Sequence, residues 1–193
     1  LEALPMPARG MALTAALTSM NIAEVCGLQW RHVNMTGGWL QVDDEAVPPM
    51  TIAVRQHWAH GQYGSLKRAS RTRNVPICTP LLALLREIGQ GAADAPVFAG
   101  RTGKPVDAHN IFNRVLRPVG KALGMPWLGW HSFRRTHSTL AAQLGMALKD
   151  QMAGMGHSDV RMTLHYQQAD VERRRETLER MGTLLGGTPG RVN

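Results

Sequence analysis

Apolar residues recur at helical spacing over most of this chain and at strand spacing in only three short stretches. Residues 11–30 read as helical: Ala12, Leu13, Ala16, Leu17 and Met20 fall on one helical face, and a second short helical turn follows, with Ile22, Val25, Cys26 and Leu28 apolar around Glu24. Thr79-Pro80 opens another helix, with threonine as N-cap and proline in the first turn, where its missing N–H costs nothing. Leu81, Leu82, Leu84, Leu85 and Ile88 supply the apolar face of that helix. Asp107 is placed to cap a helix over about 108–123, and further helices are expected over 132–144, 147–155 and 171–185. Leu178, Met181 and Leu185 form the stripe of the last one, and Ser158 or Asp159 caps a segment reaching Tyr166. The strand candidates are 39–42, 51–54 and 73–77, the third at a sheet edge or strand end because of Pro76. An acidic, proline-containing loop separates the first two. Residues 56–70, rich in His, Gly, Lys and Arg with few apolar anchors, are expected to form an exposed basic loop.

Composition narrows the partners. A chain of 193 residues with 44% hydrophobic content supports one domain with a real core over 1–185, and the Gly- and Pro-containing tail 186–193 is expected to be disordered. The 22 Lys and Arg against 14 Asp and Glu give a net charge of +8, which favours a polyanionic partner. Cys26 and Cys78 form no CxxC pair, which argues against a zinc finger or a disulfide framework and suits a reducing cytoplasm. No apolar run approaches the ~18–20 residues of a membrane span, and no secretory signal pattern opens the chain.

Three dispersed blocks carry residues suited to phosphate chemistry. His131 and Arg134, at i and i+3 near a helix start, share a face; a histidine moves protons and an arginine clamps two phosphate oxygens. Gly156-His157 follows, and Tyr166 comes nine residues after that histidine, about two and a half helical turns, so one straight helix cannot hold both on one face. Upstream, Lys67 opens a run with Arg68, Arg71 and Arg73 that leads into Val75-Pro76. A metal site built from His131, His137, His157 and His165 is disfavoured, because no HExxH and no zinc-type Cys/His spacing is present.

Taken together, these blocks resemble the catalytic domain of the tyrosine recombinases, or phage-type integrases. Trp130-His-Ser-Phe-Arg-Arg-Thr-His-Ser-Thr139 resembles the block H-x-L-R-H-T-x-A-T, with Arg135 where the family often has histidine. Met155-Gly-His-Ser-Asp-Val-Arg-Met-Thr-Leu-His-Tyr166 resembles L-G-H-S-x-x-x-T-x-x-Y, and Lys67 to Pro76 resembles K-x-x-x-S-R-R-x-V-P. The segment 18–30 resembles T-G-x-R-x-x-E-x-x-x-L-x-W through Glu24, Leu28 and Trp30. There the first catalytic arginine of the family is replaced by Asn21, and the glycine two before it by Ser19.

The resemblance implies a mainly α, α+β catalytic domain with a small three-stranded antiparallel sheet. It implies metal-independent, cofactor-free cleavage and rejoining of double-stranded DNA through a 3′-phosphotyrosyl link to Tyr166. Arg134 would clamp the phosphate, His131 and His157 would assist it, Lys67 would protonate the leaving 5′ oxygen, and Glu24 would orient its neighbours. Arg68, Arg71, Arg73 and Arg135 would contact the DNA backbone. It also implies a tetramer of protomers on DNA, a monomer in free solution, and an N-terminal DNA-binding domain that is expected to be absent from this chain. A cytoplasmic, bacterial or phage-encoded, nucleoid-associated protein fits. Asn21 offers two neutral donors where arginine has five charged ones. Loss of one transition-state donor of this kind costs ~10²–10³ in rate. The alternative is therefore a recombinase-fold DNA-binding protein that cuts poorly or not at all, unless Arg9, Arg31 or Arg55 compensates. A topoisomerase of related chemistry fits the Gly-His-Ser block less well.

Overall fold

The structure is a computed structural model that describes residues 1–42, 44–66 and 71–156, together with 175, 178 and 181. The expected segment reaching Tyr166, the helix over 171–185 save for those three residues, the tail 186–193, and the residues Lys67, Arg68, His157 and Tyr166 lie outside the described residues.

The helical stretch expected over 11–30 is a first helix and the expected second short turn, with a break between them. Helix α1 (Ala8–Thr18) ends where Ser19 turns left-handed at φ 56°, and α2 (Ile22–Cys26) restarts after Asn21. Short polar side chains compete for the backbone at this break. The Thr18 hydroxyl donates to the Thr14 carbonyl at 2.6 Å and accepts from Met20 N–H at 3.2 Å. Asn21 then closes a reciprocal capping box with Glu24: Asn21 Oδ1 accepts Glu24 N–H, and Glu24 Oε2 accepts Asn21 N–H, both at 3.0 Å. The turn Trp30–His32 leads into the sheet.

Among the described residues seven short strands follow: β1 (Val33–Asn34), β2 (Leu40–Val42), β3 (Glu45–Val47), β4 (Thr51–Val54), β5 (Gln56–Ala59), β6 (Gln62–Ser65) and β7 (Arg73–Pro76). The antiparallel three-stranded sheet has the order β1-β4-β7, with fully buried Ile52 opposite both Val33 and Val75. Its members correct the expectation in one place. The strand candidate at 39–42 does not join this sheet; it pairs with β3, inside the segment expected to be a loop. The Asn34 side-chain amide holds that hairpin by donating to the carbonyls of Gly38, Val47 and Pro48.

A second correction concerns 56–70. Rather than a featureless loop, residues 56–65 form the β5–β6 hairpin, closed at His60-Gly61 with φ 52° and 76°, the doubly left-handed geometry of a tight hairpin turn. Trp58 and Tyr63 pair across it edge to face, with ring centroids 4.8 Å apart. The hairpin is pressed onto α2 so closely that a Cβ on Gly27 would lie 2.7 Å from the His57 backbone.

The remaining helices follow the pattern read from sequence. In α3 (Thr79–Ile88) the N-cap is Cys78, one residue before the expected Thr79. Asp107 caps a continuous helix by accepting Asn110 N–H at 2.9 Å. It runs through α4 (Ala108–Ile111), a π-helical stretch (Phe112–Leu116) and α5 (Arg117–Ala122). Pro118 has no N–H to give the preceding turn and its ring crowds the carbonyl four residues back, which accounts for the local widening. Helices α6 (Trp130–Gln143) and α7 (Leu148–Met155) complete the described fold. The core gathers Met11, Met20, Leu81, Leu85, Phe98 and Leu116. Through α1 packing on α6, the corner after α1 is brought beside the end of α7.

Candidate active site

The site grows from one buried ion pair. Glu24 is only 2% exposed, which a carboxylate tolerates when its charge is met by a well-directed cation. Arg73, at the start of β7, meets it with both ends of its fork: Nη2 donates to Oε2 at 2.9 Å and Nη1 to Oε1 at 3.3 Å. The Arg73 side chain is itself 7% exposed. Its remaining donors go to backbone, Nε to the Gly154 carbonyl at 2.7 Å and Nη1 to the Arg71 carbonyl at 2.9 Å. Arg73 was expected on DNA phosphates; the structure turns it inward, because a carboxylate buried as deeply as Glu24 needs it.

The end of α7 is gathered by three elements. The Gly154 carbonyl accepts from Arg73 and, at 2.8 Å, from the Ser19 hydroxyl, while the Met155 carbonyl accepts from Arg134 Nη2 at 2.7 Å. Carbonyls left over at a helix end are thus satisfied by side chains from β7, the α1–α2 corner and α6. Gly156 then leaves the helix in a left-handed cap at φ 65°, a conformation that suits glycine. Arg134 also donates through Nη1 to the Ser19 carbonyl. One guanidinium therefore ties the His131-Arg134 block to both the Asn21 corner and the Gly156 turn.

Around this base lies a more open rim. His131 and Arg135 are exposed near the start of α6. Partial burial, then the charges of Arg134 and Arg135, holds the His131 ring below the usual histidine range, so it tends to be neutral and able to accept a proton. His137, two turns along the same helix, is half-buried and bonds through Nδ1 to the Ala16 carbonyl at 2.9 Å. A cavity of about 280 Å³ opens beside Asn21, lined also by Ala23, His57, Leu66 and Arg71. Arg71 is exposed, and its guanidinium makes no hydrogen bond or ion pair among the described residues.

Of the residues singled out in the sequence, Asn21, Glu24, Arg73 and Arg134 converge; Arg71 shares a cavity with Asn21; His131 and Arg135 flank Arg134. The three arginines considered as substitutes for the missing one are engaged elsewhere. Arg9 pairs with Glu87 at 3.3 Å, Arg31 with Asp94 at 3.5 Å and Arg55 with Glu45 at 2.7 Å. Ser19, His57 and Gly154 were not anticipated. Only the first had a signal, as the residue standing at the family's glycine. Among the described residues no three His, Cys, Asp or Glu side chains gather as a metal site would require.

The sequence profile described as the phage integrase family matches residues 1–173. An integrase of Mycobacterium phage FRAT1 is 40% identical over 80 residues, 42% of this chain and 24% of that protein. Tyrosine recombinase XerC of Xylella fastidiosa strain 9a5c is 26% identical over 174 residues, 87% of this chain and 51% of the relative. The chain thus spans about half or less of the length of these relatives. Among solved structures, the Tn1549 transposon integrase in complex with circular intermediate DNA superposes with a TM-score of 0.68 at 22% identity, covering 89% of this chain and 59% of that one. XerA recombinase gives 0.61 at 17% identity, over 91% and 57% of the two chains. These likenesses show the fold.

Proposed function

The chain belongs to the phage integrase family, and from that premise we propose that it breaks and rejoins double-stranded DNA in site-specific recombination, through a covalent link to Tyr166. The observation that carries this reading is the position of Arg134. Its guanidinium bonds both the Ser19 and the Met155 carbonyls, and so draws sequence blocks more than a hundred residues apart to one point.

In the proposed reaction the Tyr166 hydroxyl oxygen attacks the scissile phosphorus in line. A phosphorus–oxygen bond forms to the tyrosine and the bond to the 5′ oxygen breaks. The tyrosine's proton passes to a histidine, His131 or His157, and Lys67 protonates the departing 5′ oxygen. Arg134 offsets the charge that builds on the non-bridging oxygens. A 5′-hydroxyl from a second strand then reverses the step, releasing Tyr166. The bond energy is kept in the protein–DNA ester, so neither nucleotide nor metal is called for. Glu24 and Arg73 hold the frame. Basic side chains on the rim, Arg68, Arg71 and Arg135 among them, bind backbone phosphates, and binding weakens steeply with salt. We place the reaction in the bacterial cytoplasm, with protomers assembled as a tetramer on DNA and separate in solution.

A second reading, a DNA-binding protein on the same fold that does not cut, is favoured by Asn21, whose Oδ1 is committed to capping α2. Covalent trapping separates the two. The parent protein and the Tyr166→Phe variant are incubated without metal with a pool of nicked duplexes of randomised sequence. An SDS-resistant adduct from the parent alone supports cleavage. DNA binding with no adduct supports the second reading.

A further inference from the structure

The missing arginine leaves a specific gap. Asn21 stands in its place, is neutral, and spends its oxygen on the Glu24 N–H at 3.0 Å. Arg73, in the buried base, is spent on Glu24, the Gly154 carbonyl and the Arg71 carbonyl, and Arg134 is spent on the Ser19 and Met155 carbonyls. Arg9 and Arg31 are paired with Glu87 and Asp94 on the surface, and Arg55, its side chain 14% exposed, is held by Glu45 and the Arg73 carbonyl. Arg71 differs from all of them. Its backbone is fixed by the bond from Arg73 Nη1 to its carbonyl at 2.9 Å, while its side chain stays exposed. It lines the same cavity as Asn21.

We propose that Arg71 is a catalytic residue that supplies, from the β7 side of the cavity, the phosphate-clamping guanidinium that position 21 lacks. The inference rests on the cleavage reading above. Two facts favour Arg71 over any surface arginine. Its base is tied through Arg73 to Glu24, the acid three residues after Asn21, so the cavity and the arginine keep a fixed relation. And a cavity of about 280 Å³ with a histidine and an arginine on its walls and no carboxylate among its lining residues suits an anion. Asn21 then keeps a separate task, ending the chain break and starting α2, without having to carry charge.

The test uses the intact protein and the randomised pool of nicked duplexes, at saturating protein so that the adduct rate and not binding is read. Arg71→Ala is expected to lower that rate about 100-fold or more, the scale of one lost transition-state donor. Arg71→Lys, which restores a point charge but not the fork, is expected to recover it only in part. Methylguanidinium added to Arg71→Ala, or Asn21→Arg in the same background, is expected to raise the rate at least tenfold. Arg101→Ala removes an exposed positive charge away from this cavity and should match the parent. A rate for Arg71→Ala within threefold of the parent overturns the assignment and leaves cleavage standing. A loss that neither methylguanidinium nor Asn21→Arg reverses also overturns it, since what is lost is then not a guanidinium at this cavity. No adduct from the parent overturns the cleavage reading, and the role of Arg71 with it.

Discussion

Arg73 and Arg71 lie two residues apart and live in different solvents. Arg73 is 7% exposed and spends its donors on Glu24 and on backbone carbonyls. Arg71 is exposed beside a cavity, with its side chain unengaged among the described residues. The same contrast runs through the site. Its base, made of Ser19, Glu24, Arg73, Arg134 and the end of α7, is a closed network in which removing one member strands another. Its rim, with His57, Arg71, His131 and Arg135, faces water. Charge in the base sets shape; charge on the rim is what a ligand meets. Nothing in residue type separates the two, because both arginines sit in one basic run.

The largest expected effect tests that contrast directly. Arg73→Ala leaves the Glu24 carboxylate buried and unpaired, which costs about 3–5 kcal/mol. Arg71→Ala removes an exposed side chain and should stay within about 0.5 kcal/mol of the parent. Urea unfolding midpoints compare the two. Equal losses would abolish the distinction between base and rim. The double change Glu24→Gln with Arg73→Met removes both charges at once and should lose clearly less than Arg73→Ala.

Next in size is the seam between the base and the hairpin that roofs the cavity. Gly27 ends α2 with the His57 backbone 2.7 Å from where its Cβ would stand. Backbone does not swing aside as a flexible side chain does, so Gly27→Ala is expected to cost about 1–3 kcal/mol as an overpacking change. The same urea curves read it. A neutral result would mean that the hairpin lifts without penalty and the cavity has no fixed wall.

What the sequence disclosed follows from how local each signal is. The Asp107 cap, the Leu-rich face of α3 and the His131-Arg134 spacing depend on neighbours within a turn or two, and the structure has them where expected. The inward turn of Arg73 depends on Glu24, 49 residues away, and no periodicity reports that. The second short turn at Ile22 was legible, but the sharpness of the break before it was not, because the apolar spacing continues across it while short polar groups at Thr18, Ser19 and Asn21 take over the backbone. The β5–β6 hairpin was hidden because its turn uses His60 with positive φ, an uncommon choice for that geometry, and its strands carry glutamines and a histidine in place of the usual β-branched residues. The convergence of Asn21, Arg134 and the Gly156 turn came from family resemblance rather than from pattern.

A smaller effect sharpens the meaning of Asn21. If its present role is capping, Asn21→Ala should cost about 1 kcal/mol, and Asn21→Asp, which keeps the accepting oxygen, should cost little. Thermal melting of the two variants against the parent decides it. Equal melting of the alanine variant and the parent would return Asn21 to the rim as a ligand-facing group.

The smallest effect separates two histidines of one helix. Burial pushes His137 below the usual range; its bond to the Ala16 carbonyl opposes this, and the Arg134 charge adds to it. Its folded pKa is therefore below the unfolded value near 6.5. Between those two values the unfolded chain binds more protons, so stability is fully present above the unfolded pKa and declines as pH falls toward the folded one. His131 is shifted in the same direction, yet it sits exposed on the rim, where solvent screens its coupling to folding. Urea midpoints at pH 7.5 and at pH 5.5 should therefore differ in the parent and in His131→Gln, and the difference should shrink in His137→Gln. If His131→Gln flattens the drift and His137→Gln does not, the line between base and rim has been drawn on the wrong side of α6.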